Sequence, residues 1–300
     1  MAFHTPRRHD DIRGISLCAG VGGLDLGLHL AIPGYRTVCF VERNAHAAAA
    51  LVARLADASL APALVWDDLR SFDGRPWRNR IHILSAGYPC QPFTLSGLRK
   101  GEDDPRHLWP EVARIVGEIA PLKVFFENVP GHLSLGFQDV TRDLQEMGYR
   151  VAARVVSAAE VGGPHTRERM FILGHANVQE LGQQGVHPAQ LGRVGLPVRS
   201  EPDRQPDGAP QPGDVLDASA PAPRCGGLEG QAPSIFPPEP GCLAEWRETL
   251  RARPDLEPCV HRLDHGMADW LDRTSEAGNG VVPLAAARAY LSLTEALTGY

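Results

Sequence analysis

The sequence predicts an α/β fold with a mostly parallel sheet that carries helices on both faces, joined to a smaller irregular domain. Three observations predict it. Short apolar runs alternate with helical patterns from residue 12 to 175. A glycine-rich turn follows the first apolar run. Polar residues that could bind a ligand or take part in catalysis follow the ends of several apolar runs. Open α/β sheets bind their ligands at the carboxyl ends of the strands.

The predicted elements divide the chain into three parts. Strands are expected at 14–18, 36–42, 80–86, 122–127, 150–157 and 168–174, and helices at 23–31, 44–56, 106–119 and 137–147. These elements form a catalytic and cofactor-binding domain over 12–175. A variable region, 176–276, holds one short amphipathic helix at 241–256. Residues 277–300 are expected to return to the first domain as a helix over 284–297.

The first apolar run, Ile15–Cys18, leads into Gly20, Gly22 and Gly23. A strand, a glycine turn and a helix let the backbone approach a nucleotide-like ligand at the helix N-terminus. The next run ends in Glu42, whose carboxylate is placed to accept hydrogen bonds from ribose hydroxyls. Alone, this pattern fits any dinucleotide-binding protein, including a Rossmann dehydrogenase.

A cysteine lies in a proline-bracketed loop after the third predicted strand, in the segment Gly87-Tyr-Pro-Cys-Gln-Pro-Phe-Thr94. Pro89 and Pro92 fix φ on both sides of Cys90, which holds the thiol in place. This position suits a nucleophile. Because an isolated cysteine is more often a half-buried free thiol, the interpretation depends on the residues that accompany it.

A carboxylate and two arginines accompany the cysteine. The strand at 122–127 ends in Glu127, whose apolar surroundings are expected to raise its pKa and suit it to proton transfer near neutrality. Arg167 and Arg169 point the same way on an extended segment and could hold a phosphate, a flipped base or the glutamate. The alternative interpretation of Glu127 is a glutamate exposed to solvent at the end of its strand. The alternative for the two arginines is that they lie on the solvated face of a strand.

In this order, the segments closely resemble the cytosine-C5 DNA methyltransferases. The resemblance covers residues 12–175 well and 277–296 moderately, and it rests on 18–23, Glu42, Asp68-Leu69, Pro89-Cys90-Gln91, Glu127-Asn128-Val129, Arg167, Arg169 and Gly278-Asn279. It implies an S-adenosylmethionine-dependent methyltransferase fold. It also implies covalent methyl transfer to cytosine C5 in double-stranded DNA, with the target base flipped out of the duplex.

The resemblance also implies which residues act. Cys90 would be the nucleophile, Glu127 would act on N3 of the base, and Arg167 and Arg169 would grip O2. S-adenosylmethionine would contact Cys18, Gly20, Gly22, Gly23, Leu24, Glu42, Arg43, Asp68 (or Asp67 after a one-residue slip), Leu69, Pro89, Asn279 and Val281. The DNA substrate would contact Gln91, Thr94, Arg99, Lys100 and Asn128.

Several positions depart from the family pattern. Cys18 and Arg43 stand where the family often has aromatic side chains against the adenine, so stacking contacts are expected to be missing. The segment that precedes the last motif has only a partial match in 261–264 and 270–273. No metal is expected, and Cys259, His261 and His265 are a remote alternative.

The distribution of charged residues and prolines along the chain indicates which segments can contact DNA. The chain of 300 residues has net charge −6, and residues 177–275, with 9 Arg against 15 Asp and Glu, account for all of it. The region expected to read DNA is therefore acidic, and Arg99, Lys100 and Arg106 are better phosphate contacts. Twelve prolines fall in 188–240, which predicts an irregular loop or disorder.

No apolar run or N-terminal pattern predicts a membrane span or a secretory signal. The expected location is the bacterial cytosol or nucleoid, with a phage origin allowed. The expected state is a monomer that acts alone or beside a cognate restriction endonuclease. The alternatives are a tRNA cytosine-C5 methyltransferase of the same fold and a catalytically silent DNA- or cofactor-binding relic.

Overall fold

The computed structural model describes residues 11–89, 108–134, 136–163, 165–177, 247–249, 251 and 280–299. Its centre is a seven-stranded sheet made of β1 (Ile12–Leu17), β2 (Tyr35–Val41), β3 (Leu64–Trp66), β4 (Ile83–Ala86), β5 (Lys123–Asn128), β6 (Tyr149–Ser157) and β7 (Glu168–Ala176). The strand order is β3-β2-β1-β4-β5-β7-β6. Strand β7 is antiparallel to both neighbours and all other pairs are parallel, which confirms the predicted fold class.

Within the described residues, five α-helices with defined bounds accompany the sheet: α1 (Gly23–Ala31), α2 (Ala45–Ala56), α3 (Trp109–Ile119), α4 (Phe137–Glu146) and α5 (Pro283–Thr298). Short 3-10 turns occur at Arg75–Trp77, Pro130–Leu133 and Ala159–Val161. Apolar side chains of α1 and α5 cover one face of the sheet, and those of α3 and α4 cover the other. The sheet is therefore the middle layer of three, and apolar side chains cover both of its faces.

Helices α1 and α5 approach each other closely because glycines line the contact. A Cβ built on Gly27 would lie 2.6 Å from the Cβ of Ala286 and 2.7 Å from the carbonyl oxygen of Pro283. A Cβ on Gly23 would lie 2.5 Å from the carbonyl oxygen of Val281. The C-terminal segment thus packs back onto the first helix.

A buried carboxylate ties α1 to three strands. Asp25 is 2% exposed and accepts hydrogen bonds from Ser16 (2.7 Å), Thr37 (2.9 Å) and Ser85 (3.3 Å). Burial raises the pKa of Asp25 while these hydroxyls oppose the rise. The network joins β1, β2 and β4 beneath the start of α1, and so it supports the glycine turn above it.

The predicted and observed elements differ at a few ends. The sequence missed β3, whose Leu64 and Trp66 are 63% and 45% exposed, because three residues at a sheet edge show no alternation. The helix predicted from 106 begins at Trp109, after Leu108 as its N-cap residue, and the strand predicted from 80 begins at Ile83. The predicted variable region lies almost entirely outside the described residues. No helix in the described part of the chain has the length and apolarity to cross a membrane.

Candidate active site

A cavity of about 690 Å³ opens at the carboxyl edge of the sheet, where β1 and β4 are neighbours but their connections leave in opposite directions. Residues that follow β1, β2, β4 and β5 form its walls, and Gly280 and Val281 close one side. This is the point at which an open α/β sheet leaves a crevice for a ligand.

The glycine turn after β1 shapes the floor of the cavity. Gly20 and Gly22 have φ values of 55° and 80°, which glycine adopts at low cost. Gly20 lines the cavity, and a Cβ built there would meet no atom within 4 Å. Gly22 does not line the cavity and instead is the N-cap residue of α1. Cys18 also lines the cavity, and burial and the nearby charge of Glu42 raise its pKa to about 12.

Glu42 is held in a fixed orientation at the end of β2. The Gly20 amide donates to its Oε2 at 2.7 Å, and the Asn44 amide donates to its Oε1 at 2.6 Å. Each oxygen can still accept a further hydrogen bond, so the carboxylate suits a pair of neighbouring hydroxyls. Asn44 is an additional residue of the site, and an asparagine before an alanine-rich helix is the typical N-cap signal that could have pointed to it. Its side chain accepts hydrogen bonds from the amides of His46 and Ala47.

Asp68, Leu69 and Arg43 form the wall beyond Glu42, on the β3 side of the cavity. Asp68 lines the cavity, and its neighbour Asp67 does not. The Asp68 carboxylate accepts a hydrogen bond from the Arg70 amide at 3.0 Å. Arg43 and Arg70 are both exposed and bring two guanidinium groups to the same opening.

Glu127 and Arg169 form an ion pair at the other side of the cavity. Arg169 Nε lies 2.9 Å from Glu127 Oε1, across the pair of strands β5 and β7. Burial raises the pKa of Glu127 to about 7, against the opposing charges of Arg169 and Arg167. The elevated pKa expected from the apolar strand is therefore present, and the group is poised to exchange a proton near neutrality.

Arg167 contributes charge without lining the cavity. Its Nε and Nη2 atoms are buried and have no hydrogen-bond partner in the described part of the chain. Its positive charge lowers the pKa of Glu127, although less than Arg169 does. The two arginines thus both act electrostatically on the glutamate, and only Arg169 contacts it within the described residues.

Tyr88 joins the segment after β4 to the segment after β5. The Asn128 amide group donates to the carbonyl oxygen of Tyr88 at 3.2 Å, and the Tyr88 hydroxyl lies 3.2 Å from His132 Nε2. Both aromatic side chains are buried. Asn128, predicted to contact the substrate, also lines the cavity and holds the loop in place. No sequence pattern pointed to His132.

Leu24, Pro89 and Val281 also line the cavity. The remaining predicted residues lie outside the described residues: Cys90, Gln91, Thr94, Arg99, Lys100 and Asn279. So do the residues of the remote metal alternative. Within the described ranges, no three His, Cys, Asp or Glu side chains form a group that could hold a metal ion.

Comparison with known proteins identifies relatives. A family model for the C-5 cytosine-specific DNA methylases matches residues 12–201. The Type II methyltransferase M.NgoMIV of Neisseria gonorrhoeae is 31% identical over 167 residues, which are 54% of this chain and 51% of that protein. The Type II methyltransferase M.NlaX of Neisseria lactamica is 33% identical over 168 residues, which are 54% of this chain and 52% of that protein.

A crystal structure of the Dnmt2 methyltransferase of S. pombe is 20% identical with a TM-score of 0.46, covering 62% of this chain and 57% of that one. The chain spans about half the length of the curated relatives it matches. The family model, by contrast, covers well over half of this chain and includes every described wall of the cavity except Gly280 and Val281. The chain belongs to the C-5 cytosine-specific DNA methylase family.

Proposed function

We propose that the protein transfers a methyl group from S-adenosylmethionine to C5 of cytosine in DNA. The observation that carries the proposal is that one cavity contains both the fixed carboxylate of Glu42 and the buried Glu127–Arg169 ion pair. The first suits the ribose of a nucleoside cofactor, and the second suits a base whose ring nitrogen is to be protonated.

The cofactor-binding residues fit S-adenosylmethionine. Glu42 binds the ribose hydroxyls, Asp68 accepts from the adenine amino group, and the glycine turn leaves room for the methionine end. When bound, the cofactor supplies an electrophilic methyl group on a sulfonium. Val281, on the segment that leads into α5, closes the cavity beside the turn.

Covalent catalysis supplies the electron density that C5 lacks. The thiolate of Cys90 adds to C6, which forms a carbon–sulfur bond and moves an electron pair towards C5. C5 then attacks the methyl carbon, whose bond to the sulfonium breaks and leaves its electron pair on the departing thioether sulfur. Loss of the C5 proton returns the electron pair, breaks the bond to sulfur and frees the thiolate. The cysteine lies outside the described residues, and Pro89 before it lines the cavity.

Glu127 stabilises the charge that develops as sulfur adds. With a pKa of about 7, the carboxyl group is partly protonated near neutral pH and can donate to N3 of the ring. Arg169 keeps the carboxyl group oriented through its 2.9 Å contact and binds O2 of the base, while Arg167 adds positive charge beside Glu127. A cytosine inside a duplex cannot reach this cavity, so it is flipped out.

The partners follow from the same proposal. The substrate is double-stranded DNA, contacted by Gln91, Thr94, Arg99 and Lys100, and the target site is read by region 176–276. Because the two relatives described above are Type II methyltransferases, a cognate restriction endonuclease is a natural partner. The protein acts as a monomer in the bacterial cytosol, from a chromosomal or phage gene.

The proposal is tested by base-resolution conversion sequencing of plasmid DNA from cells that express the wild type, Cys90→Ser or Cys39→Ala. The last variant changes a cysteine of β2 that does not line the cavity. We expect methylated cytosines in one sequence context for the wild type and Cys39→Ala, and none for Cys90→Ser. Unmethylated DNA together with methylated cellular RNA would indicate that the substrate is RNA. Full methylation by Cys90→Ser would exclude the covalent mechanism.

A further inference from the structure

We propose that the guanidinium plane of Arg43 stacks on the adenine of the bound methyl donor and so determines how tightly the cofactor is held. The inference rests on the proposed function, because it takes S-adenosylmethionine as the ligand of the cavity. Arg43 is already an expected cofactor contact, and the proposal gives its guanidinium the stacking role that the absence of an aromatic side chain at this position leaves unfilled.

The walls of the cavity decide where the adenine lies. The transferred methyl group must face the side of Glu127 and Arg169, where the target base is bound. Glu42 holds the ribose between the two ends of the cofactor. The adenine therefore extends beyond Glu42, towards Arg43, Asp68 and Leu69.

Among the residues that the structure describes, no aromatic ring is free to stack there. Tyr88 is the one aromatic side chain among the described residues that line the cavity, and it is only 4% exposed. Its ring packs against Trp109 and Phe126, and its hydroxyl contacts His132. Trp66 is close in sequence, but it does not line the cavity, and its indole nitrogen donates to the Asp68 carbonyl oxygen.

Arg43 offers a planar group at this wall. It lines the cavity, and it forms no hydrogen bond or ion pair with any residue that the structure describes. The acid beside it, Glu42, is already engaged by two backbone amides. A guanidinium is flat, weakly hydrated and able to stack on an aromatic face, so an adenine at this wall gives the side chain a partner.

The experiment measures binding of two ligands by isothermal titration calorimetry. S-adenosylhomocysteine carries the adenine, and S-ribosylhomocysteine lacks it. We expect Arg43→Ala to weaken S-adenosylhomocysteine about five- to tenfold, in line with the loss of one stacked base, and to leave S-ribosylhomocysteine unchanged. Arg43→Lys keeps the charge without the plane and should behave like Arg43→Ala, whereas Arg43→Trp should bind at least as tightly as the wild type.

Arg150→Ala is the matched control, because Arg150 is an exposed arginine of β6 that does not line the cavity. It should retain wild-type affinity for both ligands. Arg43 is exposed, so its variants should keep the wild-type melting temperature. Wild-type affinity in Arg43→Ala or in Arg43→Lys, or equal weakening of both ligands, would overturn the stacking. A wild type that binds no S-adenosylhomocysteine at all would instead overturn the proposed function, and the inference with it.

Discussion

The contact between α1 and α5 gives the sharpest test of how the cavity is assembled. Gly27→Ala adds one methyl group at a buried position where the nearest atoms would be 2.6 Å and 2.7 Å away, on Ala286 and Pro283. Carbon atoms in ordinary contact are separated by at least about 3.4 Å, so α5 must move by nearly 1 Å. Because Val281 precedes α5 and lines the cavity, the shift should reach the cofactor.

The magnitude follows from two opposing effects. Alanine is about 1 kcal/mol better than glycine inside a helix. Overpacking a close contact costs about 1–3 kcal/mol. Gly117→Ala, in α3, is the matched control because a Cβ there would meet no atom within 4 Å. Gly117→Ala gains helix propensity without any new contact. The difference in stability between the two variants therefore measures the cost of the steric clash at Gly27.

Thermal unfolding measures this difference. At about 2–4 °C per kcal/mol for a domain of this size, Gly27→Ala should melt about 2–12 °C below Gly117→Ala. Its affinity for S-adenosylhomocysteine should also fall, while that of Gly117→Ala should not. Equal melting temperatures and equal affinities would refute the close packing of α1 on α5.

Three further predictions concern buried or capping groups. The pKa of Glu127 is raised from 4.5 to about 7, so the folded state binds this proton more tightly than the unfolded state does. The free energy of unfolding should therefore fall by up to about 3 kcal/mol as the pH rises from the unfolded to the folded pKa. Glu127→Gln should remove this slope in urea unfolding at pH 5 and pH 8, and parallel profiles would contradict the shift. Asp25→Ala leaves the buried hydroxyls of Ser16 and Thr37 without their acceptor and should cost about 3 kcal/mol or more, which an unchanged urea midpoint would rule out. Asn44→Ala removes the cap of α2 and should cost about 1 kcal/mol, with Asn44→Asp recovering most of it; equal stability of both variants would exclude the cap.

Much of the fold was predictable because its elements are long and periodic. The bounds of α1 agree with the prediction, and those of β5 and β7 agree within two residues. Strand β3 escaped prediction because three residues at an exposed edge have no repeating pattern. The candidate site was predictable to the extent that Glu42 and Glu127 end apolar runs, and such ends meet at one edge of a parallel sheet.

The contacts within the site were not predictable in the same way. Tyr88 and His132 are 44 residues apart in the chain, and their 3.2 Å contact exists because the segments after β4 and β5 meet. The amide hydrogen bonds that orient Glu42 depend on the turn at Gly20. That Arg43 has no partner among the described residues is visible only once those residues are packed around it.

The sequence by itself determined the fold class, the order of the strand and helix segments and the family, because hydrophobic periodicity, turn residues and motif spacing are properties of the chain. Only the tertiary structure decided the strand order, the ion pair between Glu127 and Arg169, and the clearance between Gly27 and Ala286. The physical reason is that burial, electric fields and contact distances arise between residues far apart in the chain, and local patterns carry no record of those separations.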